Sequence, residues 1–110
     1  MTTIGVNIYR CTSISQAAVT FVLTGDEHLD LGQRLQRNEI VLKALLRSGF
    51  FGRSAAVNNF IAAVYNDFEE PAVLEQKLRQ VFAGVEVNLD VTHHDVTDAE
   101  YREAFRPPKQ

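Results

Sequence analysis

The chain has 110 residues, a length that suits one domain, and its 45% hydrophobic and 23% charged residues are typical of a globular fold. No apolar run approaches the roughly 20 residues that a membrane span needs, and one cysteine gives this sequence no partner for an internal disulfide. The first residues contain neither a basic segment nor a long apolar segment, so we expect no signal peptide and a cytoplasmic protein.

The formal net charge of −3 conceals a segregation of charge along the chain. Residues 33–53 contain five basic residues and one acidic residue, whereas residues 54–110 contain five basic and ten acidic residues. A basic block inside an acidic chain can face a polyanion. It can equally pair with acidic segments of the same fold or of a partner subunit. Both interpretations stay open at the level of sequence.

The N-terminal part of the chain predicts two strands. Apolar residues alternate with polar or small residues over 4–8, which is the pattern of a half-buried strand. Residues 18–24 are rich in β-branched and aromatic types and end at a turn signal, so they predict a second strand. The alternative is a short helix, since Ser13 and Gln16 have the spacing of a capping box. Whether residues 15–23 are strand or helix therefore stays open.

The middle of the chain predicts a first helix over residues 39–48, with Asn38 as its N-cap. Apolar residues cover most of the circumference of this helix, so it should be buried or lie at an interface. We therefore predict a homodimer. Its predicted interface residues are Leu42, Leu46, Phe50 and Phe51.

Two further helices are predicted after the glycine-containing turn that follows residue 48. Ser54 is the expected N-cap of a helix over residues 55–69, whose apolar residues form one amphipathic stripe. Pro71 suits a first helical turn and starts a third helix that ends at Gly84. The stripe of the second helix consists of Val57, Phe60, Ile61, Val64 and Phe68.

The C-terminal part returns to alternation over residues 85–92, which predicts a strand. Thr97 and Glu100 have the spacing of a capping box and predict a short helix, followed by a flexible tail over residues 105–110. We expect one α+β domain over residues 1–110, with three central helices packed against short strands from both chain ends.

Candidate catalytic and metal-binding residues are few. His93 and His94 lie close to Asp95, but adjacent residues of a strand point to opposite faces, so we predict no metal site. Cys11 follows a predicted strand without the neighbours of a nucleophile and is interpreted as a small buried residue. The acidic stretch 67–70 suits the start of a helix better than acid–base chemistry. We therefore predict no catalytic residue, no cofactor and no enzymatic activity.

Residues 45–61 read Leu-Leu-Arg-Ser-Gly-Phe-Phe-Gly-Arg-Ser-Ala-Ala-Val-Asn-Asn-Phe-Ile, and this segment resembles ribbon-helix-helix DNA-binding proteins, including antitoxins. In that family a first helix ends near Ser-Gly, and Arg-Ser opens the second helix. Residues 28–35 could supply the strand that precedes the first helix, so the resemblance covers residues 28–68 and leaves the chain ends unexplained. It implies that two such strands of a dimer enter the major groove. By that similarity Asp30, Gly32 and Arg34 would face DNA, and Arg53 and Ser54 would meet phosphate.

The sequence therefore predicts a small non-enzymatic regulatory protein inside the cell, in the form of a dimeric DNA-binding transcriptional regulator. The alternative is a protein–protein interaction module, such as an inhibitor, immunity or assembly adaptor protein, that uses its acidic C-terminal half. The predicted nucleic-acid-binding residues are Arg34, Arg37, Arg53 and Ser54.

Overall fold

The computed structural model describes residues 2–25, 28–65 and 68–105, and the side chain of Arg53 lies outside this description. Its helices and strands follow in the order β1 (Thr2–Cys11), β2 (Gln16–Thr24), α1 (Leu31–Ser48), β3 (Phe51–Val57), β4 (Phe60–Tyr65), α2 (Pro71–Val81), β5 (Val87–Asp95) and α3 (Asp98–Glu103). A short 3₁₀ turn, Thr12–Ile14, connects β1 to β2.

The five strands form one sheet in the order β3-β4-β2-β1-β5. Neighbouring strands are antiparallel except β1 and β5, which are parallel. Parallel strands cannot be joined by a tight hairpin, and here α2 carries the chain from β4 across the sheet to β5. The edges of the sheet are therefore β3 and β5.

The predicted N-terminal strands are confirmed. Strands β1 and β2 form a regular antiparallel hairpin in which Ile8 pairs with Val19 and Val6 pairs with Phe21. The alternative helix over residues 15–23 is wrong, because β2 lies between β1 and β4 and its apolar side chains are buried in the sheet.

The hydrophobic core lies between one face of the sheet and the helices α1 and α2. Ile4, Val6 and Ile8 of β1 are almost fully buried there, together with Val41 of α1 and Leu74 of α2. A smaller cluster on the opposite face contains Cys11, Ala18 and the α3 residue Tyr101. Helices α1 and α2 thus cover one face, and α3 covers part of the other.

The predicted helix over residues 55–69 is wrong. Residues 51–65 form the hairpin β3–β4, which turns through Asn58 and Asn59. Asn58 has a φ of 55°, and asparagine tolerates this left-handed conformation better than most residues. Strand β4 pairs with the buried strand β2 and buries Ile61, and this tertiary pairing outweighs the helical spacing of the apolar residues.

Helix α1 begins eight residues earlier than predicted, at Leu31 rather than residue 39. Asp30 is its N-cap: the carboxylate accepts a hydrogen bond from the backbone N–H of Gln33 at 2.8 Å. The side chain of Gln33 accepts a hydrogen bond from the backbone N–H of Asp30 at 3.0 Å, which completes a capping box. Asn38 is therefore not an N-cap but a buried residue of the helix interior. The strand predicted over residues 28–35 is also wrong, because α1 begins at Leu31.

The third predicted helix, the C-terminal strand and the short last helix are present with slightly shifted ends, and the predicted tail lies outside the described residues except for residue 105. Pro71 is in the first turn of α2, β5 runs from Val87 to Asp95, and the Thr97–Glu100 capping box starts α3. The protein contains both helices and strands, as predicted. The predicted arrangement, with three central helices and strands only from the chain ends, is wrong. In the described part of the chain strands dominate, two of the five come from the middle of the sequence, and only α1 is a long central helix.

Candidate interaction surface on helix α1

The first two turns of α1 contribute no buried side chain to the core. The buried residues of this 18-residue helix are Asn38, Val41 and Leu45, and none precedes Asn38. Leu31 and Leu35, in these first turns, expose 73% and 59% of their surface. Large apolar side chains exposed this way at neighbouring positions of a helix are typical of interaction surfaces.

Four leucines of α1 form a single stripe beside the buried stripe. Successive members are separated by four, seven and four residues, so at 3.6 residues per turn they lie on one side of the helix. Leu46 exposes 78% of its surface, and Leu42 is partly buried against the core. We call this stripe the leucine ridge; it consists of Leu31, Leu35, Leu42 and Leu46.

A cleft of about 540 Å³ opens beside the N-terminal half of the ridge. Its α1 wall contains Leu35 and Leu42, and the opposite side contains Ala56 of β3 and the turn residue Asn59. The volume falls within the range of roughly 300–1,000 Å³ that is usual for binding pockets. The polar residues that line the cleft are Thr24, Arg34, Arg37, Asn38, Glu39, Asn58 and Asn59.

Asn38 connects the cleft to the β3–β4 turn. Its side-chain amide donates a hydrogen bond to the backbone carbonyl of Asn58, and its carbonyl oxygen accepts one from Nη2 of Arg37 at 3.3 Å. The turn is also held by β2: the side-chain amide of Asn59 donates to the carbonyl of Leu23 at 3.1 Å, and the N–H of Leu23 donates to the carbonyl of Asn59 at 2.9 Å. Helix, turn and central strand are thus connected by direct hydrogen bonds.

The residues predicted to bind nucleic acid do not lie together. Arg34 and Arg37 line the cleft, and Ser54 is exposed on the edge strand β3 without contributing to the cleft lining. The backbone of Arg53 belongs to β3, and its side chain lies outside the described residues. Arg53 and Ser54 therefore do not open a helix, as the family resemblance implies, but sit in a strand.

The predicted interface residues divide into two groups. Leu42 and Leu46 belong to the leucine ridge. Phe51, in contrast, is not available as an interface residue of the single chain: it is buried in the core and contacts Tyr65 edge to face, with 5.7 Å between ring centroids. Phe50 is half-buried, and the ammonium of Lys77 lies 5.0 Å from the centre of its ring.

Lys77 organises a polar cluster next to these aromatic rings. Its Nζ donates hydrogen bonds to Oη of Tyr65 at 2.8 Å and to Oε1 of Glu69 at 2.7 Å. The hydrogen bond to Glu69, followed by that to Tyr65, raises the pKa of Lys77 above its ordinary value. Burial is the main cause that raises the pKa of Tyr65. The cluster attaches the end of β4 to α2.

Cys11 lies in a second polar cluster, between the end of β1 and the start of α3. Its Sγ is fully buried and lies 3.3 Å from both Oγ of Ser13 and Oδ1 of Asp98. The Ser13 hydroxyl also donates a hydrogen bond to Asp98. Both hydrogen bonds lower the pKa of the Asp98 carboxyl group, and the one with Ser13 has the larger effect. A buried thiol in this position joins two elements and is not accessible to a substrate.

The side chains of His93 and His94 point to opposite faces of β5, because successive side chains alternate along a strand. The Nε2 atom of His93 lies 2.8 Å from Oε1 of Glu75 in α2, whereas Nε2 of His94 lies 3.0 Å from Oδ1 of Asn7. His94 also stacks on Tyr9, with ring centroids 4.8 Å apart. Within residues 2–25, 28–65 and 68–105, no group of three or more His, Cys, Asp or Glu side chains is placed to hold a metal ion.

Comparisons of the chain with protein-family models, with curated proteins and with solved structures found no match. Among the described residues, no helix combines the length and the apolar character that crossing a membrane requires.

The sequence prediction missed two of the four ridge leucines and the role of Asn38. Leu31 and Leu35 were assigned to a strand, although the Asp30–Gln33 capping spacing indicates that a helix begins just before them. Once α1 is extended to residue 31, the alignment of the four leucines on one side of the helix can be read from the sequence. The contact between Asn38 and Asn58 has no such signal, because it joins residues that are 20 positions apart.

Proposed function

We propose that this protein is a non-enzymatic protein-interaction module and that the leucine ridge of α1, with the adjoining cleft, is its binding surface. The observation that carries the proposal is the exposure of Leu31, Leu35 and Leu46 on one stripe of a helix whose neighbouring stripe is buried. Complete burial of a fully exposed leucine side chain is worth about 1.5–3 kcal/mol, and these three forfeit a large part of it because they expose 59–78% of their surface. A partner that covers them recovers part of this free energy on binding.

The proposed surface differs from the one that the sequence suggested. The acidic C-terminal half exposes Glu86 and Asp90, but these carboxylates are not combined with exposed large apolar side chains in β5. Charged rim contacts by themselves contribute little to affinity, whereas buried apolar anchors dominate it. The ridge supplies such anchors, and this supports α1 as the binding surface.

Site-specific photo-crosslinking in cells that express the protein tests the proposal. A photoreactive residue at Leu46 should give a crosslinked product with a defined protein, identified by mass spectrometry, and Leu35→Glu in the same chain should remove this product. The matched control is Gln76→Glu, an exposed change on α2 that should leave the product intact. Equal yields from Leu46 and from a photoreactive residue at Gln76 would contradict the proposal.

A second candidate function is binding of duplex DNA, and the charge of α1 favours it. The helix contains Arg34, Arg37, Lys43 and Arg47 against the single acid Glu39. Phosphate contacts of this kind release counterions, so affinity should fall steeply with salt. Fluorescence anisotropy with random duplex DNA at low and moderate salt tests it. Binding that survives in an Arg34→Ala, Arg37→Ala double variant would contradict DNA recognition through α1.

A further inference from the structure

One edge of the sheet is open to a further strand. Residues 54–57 of β3 pair with β4 on one side only and are all exposed, and they include neither a charged residue nor a proline. The register irregularity of β3 lies before Ser54 and leaves this segment regular. The opposite edge, β5, exposes Asp90, His93 and Asp95. Natural sheets block unwanted pairing at their edges with charges, prolines and bulges, so β5 is protected whereas residues 54–57 of β3 are not.

The leucine ridge lies on the same side of the molecule as this open edge. Helix α1 runs antiparallel to β3, because its C-terminal end leads into the start of β3 and Asn38 in its middle bonds to the turn at the end of β3. Leu35 and Leu42 of the ridge line the cleft together with Ala56 of the open segment. The ridge and the unpaired edge of β3 therefore form one continuous surface.

The charges of α1 beside the ridge are compensated within the chain. The Nζ atom of Lys43 lies 2.8 Å from Oε1 of Glu39, one helical turn earlier. Arg34 and Arg37 also have interaction partners within the chain. A two-fold axis that passes between Glu39 and Lys43 sets the carboxylate of one copy against the ammonium of the other, since it reverses the direction of the pair. The charge pattern is thus complementary to a second copy of itself.

Resting on the proposed function, we infer that the partner of the leucine ridge is a second copy of this chain. Residues 54–57 of the two copies pair as antiparallel strands about a two-fold axis and join the two five-stranded sheets into one. Because α1 is antiparallel to β3, the same axis brings the two α1 helices side by side in opposite directions, and each ridge covers the other. A contact of this kind uses one surface of both copies and closes at the dimer.

Sedimentation equilibrium of the full chain over a range of concentrations tests this inference. The wild type should dimerise. Leu35→Glu places a charge on the ridge and Ala55→Lys places one on the open edge, so each should raise the dissociation constant at least about tenfold. The matched controls, Gln76→Glu on α2 and Asn88→Lys on the opposite edge β5, are exposed changes that should leave the dimer intact. A monomer at all concentrations, or a dimer that either Leu35→Glu or Ala55→Lys leaves intact while folded by circular dichroism, would overturn the inference.

A distance between spin labels identifies the edge that pairs and leaves the ridge and β3 unchanged. The label is attached to Asn88→Cys, since the native Cys11 is buried. In the proposed dimer the two β5 strands lie at the far edges of the joined sheet, so at about 4.8 Å per strand the labels should be about 40 Å apart. A separation below about 20 Å would show that β5 pairs instead and would overturn the inference.

The photo-crosslink from Leu46 separates this inference from the proposed function. The inference predicts a Leu35-dependent product with the mass of two copies of the chain. A product with a different protein, from a chain that sediments as a monomer, would overturn the second copy as partner and keep the ridge as a binding surface. Absence of every Leu35-dependent product would overturn both.

Discussion

The side-chain amide of Asn38, in the middle of α1, donates a hydrogen bond to the backbone carbonyl of Asn58 in the β3–β4 turn. Asn38 is 7% exposed, and its own carbonyl oxygen accepts a hydrogen bond from Arg37. A buried polar side chain in a helix interior is costly unless it has partners. Here the partners hold the hairpin turn against the helix and shape the cleft that lies between them.

Asn38→Ala should therefore destabilise the protein by about 1–3 kcal/mol, because it removes the side-chain amide that donates a hydrogen bond to the backbone carbonyl of Asn58. Urea unfolding followed by far-UV circular dichroism measures the change in the free energy of unfolding. Gln36→Ala, an exposed change two residues earlier in α1, is the control. A loss no larger than that of Gln36→Ala would show that this hydrogen bond does not support the fold.

Asp30→Ala should destabilise the protein by about 0.5–2 kcal/mol, because it removes the N-cap that α1 uses at Leu31. The first turns of α1 should fray, with a measurable loss of helical ellipticity. Asp90→Ala, an exposed acid on β5, changes the net charge equally and should leave the ellipticity unchanged. A loss of stability in Asp90→Ala but not in Asp30→Ala would contradict a helix that begins at Leu31.

Tyr65 and Tyr101 are both 5% exposed, but their hydroxyl groups have different surroundings. The Tyr65 hydroxyl accepts a hydrogen bond from Lys77, whereas that of Tyr101 is buried without a hydrogen-bond partner among the described residues. Tyr65→Phe should destabilise the protein by about 1 kcal/mol, and Tyr101→Phe should be neutral or stabilising. Thermal or urea unfolding of the two variants measures the difference. The reverse order would contradict these assignments.

Acid stability should depend on Asp98, whose pKa is lowered by its hydrogen bonds with Ser13 first and Cys11 second. A carboxyl group with a lowered pKa in the folded state contributes stability above its unfolded pKa of about 3.9. That contribution is lost as the pH falls through the folded pKa. Urea midpoints of the wild type and of Asp98→Asn, measured from neutral pH down to about pH 2, test this. The variant should be less stable at neutral pH, and the difference should shrink in acid; a difference that stays constant would contradict it.

Local patterns were sufficient for the elements whose signals lie within a few residues. The alternation around Val6 fixed β1, Pro71 marked the start of α2, and the Thr97–Glu100 pair marked the start of α3. The Asp30–Gln33 pair has the same spacing as the Thr97–Glu100 pair, and it marks the start of α1 in the same way. These signals are local because a cap or an alternating strand depends on neighbouring backbone groups.

The hairpin over residues 51–65 was decided by tertiary structure. The segment contains alanine and β-branched residues that fit either a helix or a strand, and its apolar spacing favours a helix. Pairing of β4 with β2 forms a ladder of backbone hydrogen bonds and buries Ile61. A local sequence pattern does not reveal this stabilisation, because the two strands are distant along the chain. The sequence by itself therefore determined the strands and helices with local signals, together with the basic, leucine-rich character of α1. Only the tertiary structure decided which leucines of α1 the sheet covers and which remain exposed, because burial depends on residues that are distant along the chain.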